Sequence, residues 1–398
     1  MRVIIVHQHD PGAPHVGGIG TFIETFVKYA PEDVKVSLVG ITRDPATRPV
    51  GRWHQVNLGG KRCEVLPVVE AHPTHRGRVP LSLRFTVALA RFRRMIDFRD
   101  AILEFHRVEP SLPLRSLPNR KVLFLHGHMQ DLYNSKTEVQ WGKLPRLYFW
   151  VERRAIPMME RIYIVREDAV PFYCTRYPQW RERFGFLPTW VDDAVFSSLA
   201  QDERLRLRER FAREHGFHAG SRLLLFVGRF EGQKDPRLLL EAFRQLNGTV
   251  GHVVLVMIGT GRLEASIRAF LRTHSLGGVV RLFGPKPQQE LAQWMNVADC
   301  LVLSSAFEGM PRVVVEALHC GLPVVSTQVG EVPRLIREAG AGRLVSQRTP
   351  EALGAAITEV LRQRPSHETC QRQILPYTAA KVLAPIYETY RELAGASP

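Results

Sequence analysis

The chain has 398 residues, which suits two domains of ordinary size rather than one. A hydrophobic content of 45% with 23% charged residues describes a globular chain with a sizeable core, and excludes a disordered or fibrous one. Lysine and arginine number 54 against 39 aspartate and glutamate, so an anionic partner is expected: nucleic acid, a membrane surface or a phosphorylated small molecule.

The excess is uneven, with 29 basic and 20 acidic side chains in residues 1–197 and 25 and 19 after them. Nothing resembles an RNP motif, a zinc finger or a helix-turn-helix, so nucleic acid is not the expected partner. The longest apolar runs, such as residues 253–258, fall far short of the roughly 20 residues of a membrane span. The opening MRVIIVHQHD lacks a long apolar stretch, and residues 3–6 read as a strand rather than part of a signal peptide. Five scattered cysteines (Cys63, Cys174, Cys300, Cys320, Cys370) form no CxxC pair, so neither a disulfide framework nor a zinc site is expected. A cytoplasmic location follows as the expectation.

In chain order, short β-branched runs alternate with longer helical patterns, which predicts parallel sheets covered by helices. Strands are expected at 3–6, 36–39, 101–105, 121–125 and 162–165, with helices at 20–29 and 84–96 between them. Residues 184–203 carry Pro188, Trp190 and the turn-like Asp192-Asp193 and read as an interdomain linker. The alternation then restarts. Strands are expected at 223–227, 253–258, 279–283, 300–303 and 323–326, and helices at 236–246, 263–273, 288–296, 311–319 and 350–363. Residues 381–393 read as a last amphipathic helix. The fold class is therefore α/β with two doubly wound Rossmann-like domains, 1–197 and 198–376, and a closing segment 377–398 that packs back toward the first. Tandem sheets of this kind are expected to face each other across a cleft, with ligands at the carboxyl ends of the strands.

Three segments carry chemistry. Gly17-Gly18-Ile19-Gly20 follows the first strand and opens a helix, as a tight turn or as a backbone able to approach a phosphate. It lacks the GxGxxG spacing of a dinucleotide enzyme. Gly228-Arg229 ends a strand, and Lys234 follows five residues after Arg229 in the loop that opens the next helix. A planar guanidinium and a compact ammonium suit a diphosphate, though two solvated loop cations satisfy the same pattern. In the third, Glu308-Gly309-Met310-Pro311 precedes an apolar helix bearing Glu316. Gly309 and Met310 would offer amide N–H groups at the helix start, and Pro311 suits its first position. A carboxylate at Glu316 is costly among Val313, Val314, Val315, Ala317 and Leu318 unless it has a partner; sugar hydroxyls would serve, and an exposed helix face is the plain alternative.

Glu308 and Glu316, separated by seven residues and followed by Gly321-Leu322-Pro323-Val324-Val325, resemble the E-x7-E signature of retaining family 4 glycosyltransferases (glycosyl transferases group 1) with the GT-B fold. The Gly228–Lys234 stretch looks like that family's G-R-x4-K motif, and Gly17-Gly18 looks like its acceptor-side loop. Gly259-Thr260-Gly261, the strand end at Phe283-Gly284 and Leu187-Pro188-Thr189-Trp190-Val191-Asp192 fit its intermediate landmarks. The resemblance covers the whole chain and is more specific in the second half. It implies that Arg229 and Lys234 neutralise the donor diphosphate, that Glu308 binds the transferred sugar and that Glu316 holds the ribose. Gly18, Gly228, Gly284, Gly309, Met310 and Pro311 would complete the donor side, with Gly17 and Gly18 toward the acceptor. His126 matches a family histidine facing the donor sugar, a structural histidine being the alternative. Two departures stand out: Val329-Gly330-Glu331-Val332-Pro333-Arg334 replaces a Gly-Gly pair with a later glutamate, and Arg166 stands where a serine is usual.

No cofactor or metal is expected beyond the nucleotide-diphosphate sugar itself. Residues 76–99 set seven arginines (Arg76, Arg78, Arg84, Arg91, Arg93, Arg94, Arg99) against Asp97 and interleave them with apolar side chains. Such a helix either lies on an anionic membrane surface or packs its apolar face into the core. The first option suits transfer to a lipid-linked or polysaccharide acceptor by a peripheral protein on the cytoplasmic face. Transfer to a soluble small molecule is the alternative, and a nucleotide-sugar-binding protein without turnover a third.

Overall fold

The computed structural model describes residues 1–12, 18–71, 79–126, 145–246, 251–363 and 365–395. Gly17 and residues 76–78 of the basic segment lie outside the described residues. The chain divides into two units, Met1–Pro188 with the closing residues from Ala379, and Thr189–Thr378.

The first unit runs β1 (Arg2–Val6), α1 (Gly18–Tyr29), β2 (Lys35–Thr42), β3 (His54–Leu58), β4 (Lys61–Glu70), α2 (Leu81–Phe92), β5 (Ala101–Phe105), β6 (Lys121–Leu125), α3 (Pro145–Ala155), β7 (Arg161–Ile164), α4 (Ala169–Arg176) and β8 (Phe184–Phe186). Its sheet has the order β3-β4-β2-β1-β5-β6-β7-β8, parallel except for the β3–β4 pair. That antiparallel hairpin was not expected from the sequence. It turns at Gly59-Gly60, both at positive φ, and β3 alternates in exposure as an edge strand does, so it lacks a continuous apolar run.

The second unit runs α5 (Gln201–His215), β9 (Arg222–Val227), α6 (Pro236–Leu246), β10 (Val253–Ile258), α7 (Glu264–Thr273), β11 (Val280–Phe283), α8 (Gln288–Val297), β12 (Cys300–Leu303), α9 (Arg312–His319), β13 (Val324–Thr327), α10 (Val332–Leu335), β14 (Gly342–Val345), α11 (Pro350–Gln363) and α12 (His367–Ile374). The sheet is parallel throughout, in the order β11-β10-β9-β12-β13-β14. Parallel strands are covered on both faces, which is why β10 reads VVLVMI and is buried at every position. The expected five strands become six, because β14 (GRLV) is short and half polar.

The expected boundary at 197/198 lies nine residues beyond the observed one. Trp190, Val191 and Phe196 are fully buried, and Val191 N–H donates to Tyr377 O at 2.9 Å, so residues 189–197 belong to the second unit. The closing helix α13 (Ala379–Gly395) belongs to the first. Its Tyr387 hydroxyl donates to Phe26 O, and its Tyr390 hydroxyl to Glu104 Oε2 at 2.6 Å. The expected helix at 84–96 stops as α2 at Phe92 and continues as one 3₁₀ turn.

Candidate functional site

Among the parallel strands of each sheet the order reverses once, between β1 and β5 and between β9 and β12. Crossovers leave opposite faces at such a point, so the loops after the two strands diverge and open a crevice at their carboxyl ends. In the second unit these are the loops carrying Gly228–Asp235 and Ser304–Pro311.

The two loops are tied together by polar contacts. Lys234 Nζ donates to Glu308 Oε1 at 2.6 Å, and Ser305 Oγ donates to the same oxygen at 2.6 Å. Ser304 Oγ lies 2.9 Å from both Lys234 O and Asp235 O, where Asp235 takes a positive φ of 43° before α6. Gln233 completes the link: its Nε2 donates to Phe307 O, its carbonyl accepts Ala306 N–H, and its Oε1 accepts from Arg229 Nη2 at 3.0 Å. Lys234 and Glu308 are largely buried, while Arg229 is exposed. A partly buried ion pair with a second cation at its mouth attracts an anion without leaving either charge alone.

Backbone packing shapes the rest. Among the described residues the N–H groups of Gly309 and Met310 donate to no protein acceptor. Pro311 is the cap of α9 rather than its first residue, with φ −71° and ψ 115°. Gly330 has φ +49°, and a Cβ there would sit 2.0 Å from Gly309 O and 2.5 Å from Glu308 O. The departing segment 329–334 thus lies against the Glu308 loop, with Glu331 N–H donating to Gly309 O at 2.9 Å. Behind it, Thr189 clips Met310: its Oγ1 donates to Met310 O and its N–H to the sulfur, both at 3.0 Å. Gly259 and Gly261 approach the Gly228 loop so closely that added Cβ atoms would meet Gly228 O at 1.9 Å and Phe230 O at 2.4 Å.

Glu316 is buried on α9, and its partner is Arg312 one turn earlier, whose Nε lies 3.4 Å from Oε1. Sequence reading supplied that partner from a ligand; the i, i+4 spacing of Arg312 and Glu316 was the signal for an internal one. Burial pushes the Glu316 carboxyl above the ordinary range, Arg312 opposes that, and Asp192 adds to it. Both terminal guanidinium nitrogens of Arg312 are buried and have no hydrogen-bond partner among the described residues. Gly284 follows the edge strand β11, is exposed, and an added Cβ there would meet nothing within 4 Å.

In the first unit the corresponding edge is built of histidines. His7 follows β1, His106 follows β5 and His126 follows β6. The His106 ring stacks on His126 at 5.1 Å and on Phe124 at 5.2 Å, with Phe22 of α1 edge-on to His106 and His126. His106 Nδ1 lies 2.8 Å from His126 Nε2, and His106 Nε2 lies 2.9 Å from Glu104 Oε1. Burial lowers the basicity of all three imidazoles and is the largest cause in each. Gly18 is exposed at the start of α1 with open space where a side chain would go. Arg166 is paired with Asp168.

The basic segment splits between the two options. Phe85 and Leu89 of α2 and Ile96 beyond it enter the core, while Leu83, Val87 and Met95 stay exposed beside Arg91, Arg93 and Arg94. Helix α3, packed like α2 against residues 109–114, exposes Leu147 and Trp150 with Arg146, Arg153 and Arg154, and Arg154 lies 3.8 Å over the Trp150 ring. Among the described residues, no helix is long and apolar enough to cross a membrane.

Residues 208–374 match the family model "Glycosyl transferases group 1". The chain carries a glycosyl transferases group 1 domain. The loops after β9 and β12 lie within the matched residues. Relatives include a D-inositol 3-phosphate glycosyltransferase of Pseudarthrobacter chlorophenolicus, 32% identical over 41% of this chain and 38% of that protein. The amylovoran biosynthesis glycosyltransferase AmsK of Erwinia amylovora is 33% identical over 34% of each. These two alignments span less than two fifths of the relatives' length. In fold, the chain is similar to sucrose-phosphate synthase of Thermosynechococcus elongatus, with a TM-score of 0.80 at 16% identity and full coverage of both chains. HepE of Anabaena, solved with UDP-glucose, gives 0.71 at 15% identity over 98% and 100%. The fold is GT-B, two parallel-sheet Rossmann-like units joined in one chain.

Proposed function

We propose that the protein is a retaining glycosyltransferase that moves a sugar from a nucleoside-diphosphate sugar to a hydroxyl of a lipid-linked or polysaccharide acceptor. The observation that carries this is the pairing of Lys234 with Glu308 at the β9/β12 reversal, beside exposed Arg229 and the open amides of Gly309 and Met310. As the bond from the anomeric carbon to the diphosphate breaks, negative charge grows on the leaving group and positive charge on the ring. Arg229, Lys234 and the α9 start stabilise the first; Glu308 holds hydroxyls of the sugar and faces the second. The acceptor oxygen bonds to the face the diphosphate leaves, and its proton passes to the departing phosphate oxygen. Glu316 takes the ribose hydroxyls, and His126 hydrogen-bonds the transferred sugar.

The amylovoran biosynthesis relative AmsK, together with the exposed apolar and arginine side chains of α2 and α3, supports an acceptor at an anionic membrane surface. The loss of Phe85 and Leu89 of α2 to the core favours, in the second place, a soluble acceptor. The experiment is a thermal-shift panel of UDP, GDP, ADP and TDP with their sugars, followed by product analysis with the stabilising donor. Stabilisation by none of them overturns the reading.

A further inference from the structure

We propose that Glu104 is a positioning residue which, through His106, sets the tautomer of His126 and makes its other ring nitrogen, the one His106 does not hold, a hydrogen-bond donor. The inference rests on the glycosyltransferase reading for its use, but the hydrogen-bond chain is a property of the first unit by itself.

Four groups from the ends of two strands, β5 and β6, and from the closing helix lie in one line. Tyr390 O–H of α13 donates to Glu104 Oε2 at 2.6 Å; Glu104 Oε1 lies 2.9 Å from His106 Nε2; His106 Nδ1 lies 2.8 Å from His126 Nε2. Glu104, His106 and Tyr390 are fully buried or nearly so, so no water repairs a mismatch of donors and acceptors. Each neutral imidazole has one donor and one acceptor nitrogen, so the proton on the first member decides every later one. With Glu104 protonated, Oε1–H donates to His106 Nε2, His106 Nδ1–H donates to His126 Nε2, and His126 is left with Nδ1–H. Loss of that one proton reverses the line: His106 Nε2–H donates to the carboxylate, His126 Nε2–H donates to His106 Nδ1, and His126 Nδ1 becomes an acceptor. That nitrogen is bonded to no described residue.

The surroundings favour the protonated form. Besides Tyr390, the titratable groups facing Glu104 are Tyr387 of α13 and Tyr163 of β7, with His7 of β1 edge-on to His106 at 5.4 Å. Arg107 acts on His7 and makes an ion pair with Glu109. Without a cation of its own, the Glu104 carboxyl is pushed by burial up to about 8, while burial takes His106 down to about 3. At neutral pH the pair is a neutral acid and a neutral imidazole, and His126 presents N–H. This is the polarity needed to hold a sugar oxygen.

The test uses the full chain labelled with ¹⁵N-histidine. Imidazole shifts assigned with His126→Asn should show the Nδ1–H form of His126 at pH 6.5 and its reversal as pH rises through about 8. Glu104→Gln keeps the line in the protonated sense, since the amide N–H donates to His106 and its oxygen accepts from Tyr390. It should keep the Nδ1–H form, and wild-type transfer rate at pH 7, while losing the alkaline fall in rate; Glu104→Leu should lose at least 10-fold in rate at pH 7. A His126 tautomer that ignores both pH and Glu104→Gln overturns the proposal. An alkaline limb unchanged in Glu104→Gln overturns it equally. Absence of transfer by wild type at any pH would instead remove the glycosyltransferase reading and leave the tautomer result standing.

Discussion

Lys234 Nζ and Glu308 Oε1 meet at 2.6 Å although they stand 74 residues apart, each on a loop after one of two adjacent strands. The contact exists because β9 and β12 are neighbours only where the strand order reverses, so remote sequence segments share one edge. Glu308 keeps a second donor, Ser305 Oγ at 2.6 Å. The two cations of this loop should then separate in behaviour. Arg229→Ala should cost about 10²–10³ in transfer rate with an unchanged melting temperature, because an exposed side chain is lost. Lys234→Ala should cost as much in rate and lower the melting temperature as well, since it strips a partly buried carboxylate of its ion-pair partner. Wild-type rates in folded variants would remove the diphosphate assignment.

Glu308→Gln and Glu316→Gln should differ in what they bind. Glu308 is assigned to the sugar and Glu316 to the ribose, so calorimetry should find nucleoside diphosphate bound nearly normally by the first variant and poorly by the second. The Arg312 contact sharpens the point: Arg312→Met leaves the buried Glu316 carboxyl without its countercharge, raising its pKa further. Nucleotide affinity in that variant should fall.

Legibility followed periodicity. Strands such as β9, β10 and β12 are continuous apolar runs because both their faces are covered, and the loops that end them held the candidate residues. β3, β8 and β14 are short edge strands that give no such run, while β4 carries one at 65–69 that includes Pro67, a residue that argues against a strand. In the candidate site, charged residues at loop positions were visible, but their second partners were not. Ser305, Gln233 and Gly330 have ordinary spacings and acquire meaning only when β13 and β9 bring their loops to Glu308. Glu104 was hidden for another reason. It reads as one member of a strand, and its partner Tyr390 arrives from the far end of the chain.

Gly330→Ala should be destabilising where Gly228→Ala is not. At 330 an added Cβ meets backbone oxygens at 2.0 and 2.5 Å with φ at +49°, and neither oxygen is free to move without shifting the Glu308 loop. At 228 it meets the Lys234 stem at 3.5 Å, an ordinary contact. Denaturant titration should show a loss of about 1–3 kcal/mol for the first and little for the second. Equal stability of the two variants would mean that the 329–334 segment does not support the site.

The buried line in the first unit also fixes a pH dependence of stability. Glu104 has a raised folded-state pKa of about 8, so the stability it permits is full below the ordinary carboxylate range and is lost as pH rises toward 8. His106 is depressed to about 3, so its contribution is full above the ordinary imidazole pKa near 6.5 and is lost as pH falls toward 3. Glu104→Gln should remove the alkaline loss and leave the acid loss. Melting curves between pH 4 and 9 decide this, and an alkaline limb that survives the substitution would place its cause elsewhere.

The exposed side chains of α2 and α3 are the proposed contact with an anionic membrane surface. Val87 is 54% exposed and Trp150 49%, and the arginines beside them in sequence, among them Arg84, Arg91, Arg153 and Arg154, are exposed as well. Apolar side chains in such company gain by entering the headgroup region, and the arginines gain from anionic lipid. Binding to vesicles should therefore rise with anionic lipid content and fall with salt, since the attraction is screened over roughly 8 Å at physiological ionic strength. Changing Arg91, Arg93 and Arg94 to glutamine should weaken binding by about 1 kcal/mol for each charge near the surface. Val87→Ser with Trp150→Ser should weaken it at high salt too, where the charge attraction is already screened. Transfer to a soluble short-chain acceptor should survive both sets, because Lys234 and Glu308 lie in the other unit. Wild-type protein that ignores anionic vesicles at low salt would move the acceptor into solution, and the arginines of α2 would then serve only to solvate a helix whose apolar side is already in the core.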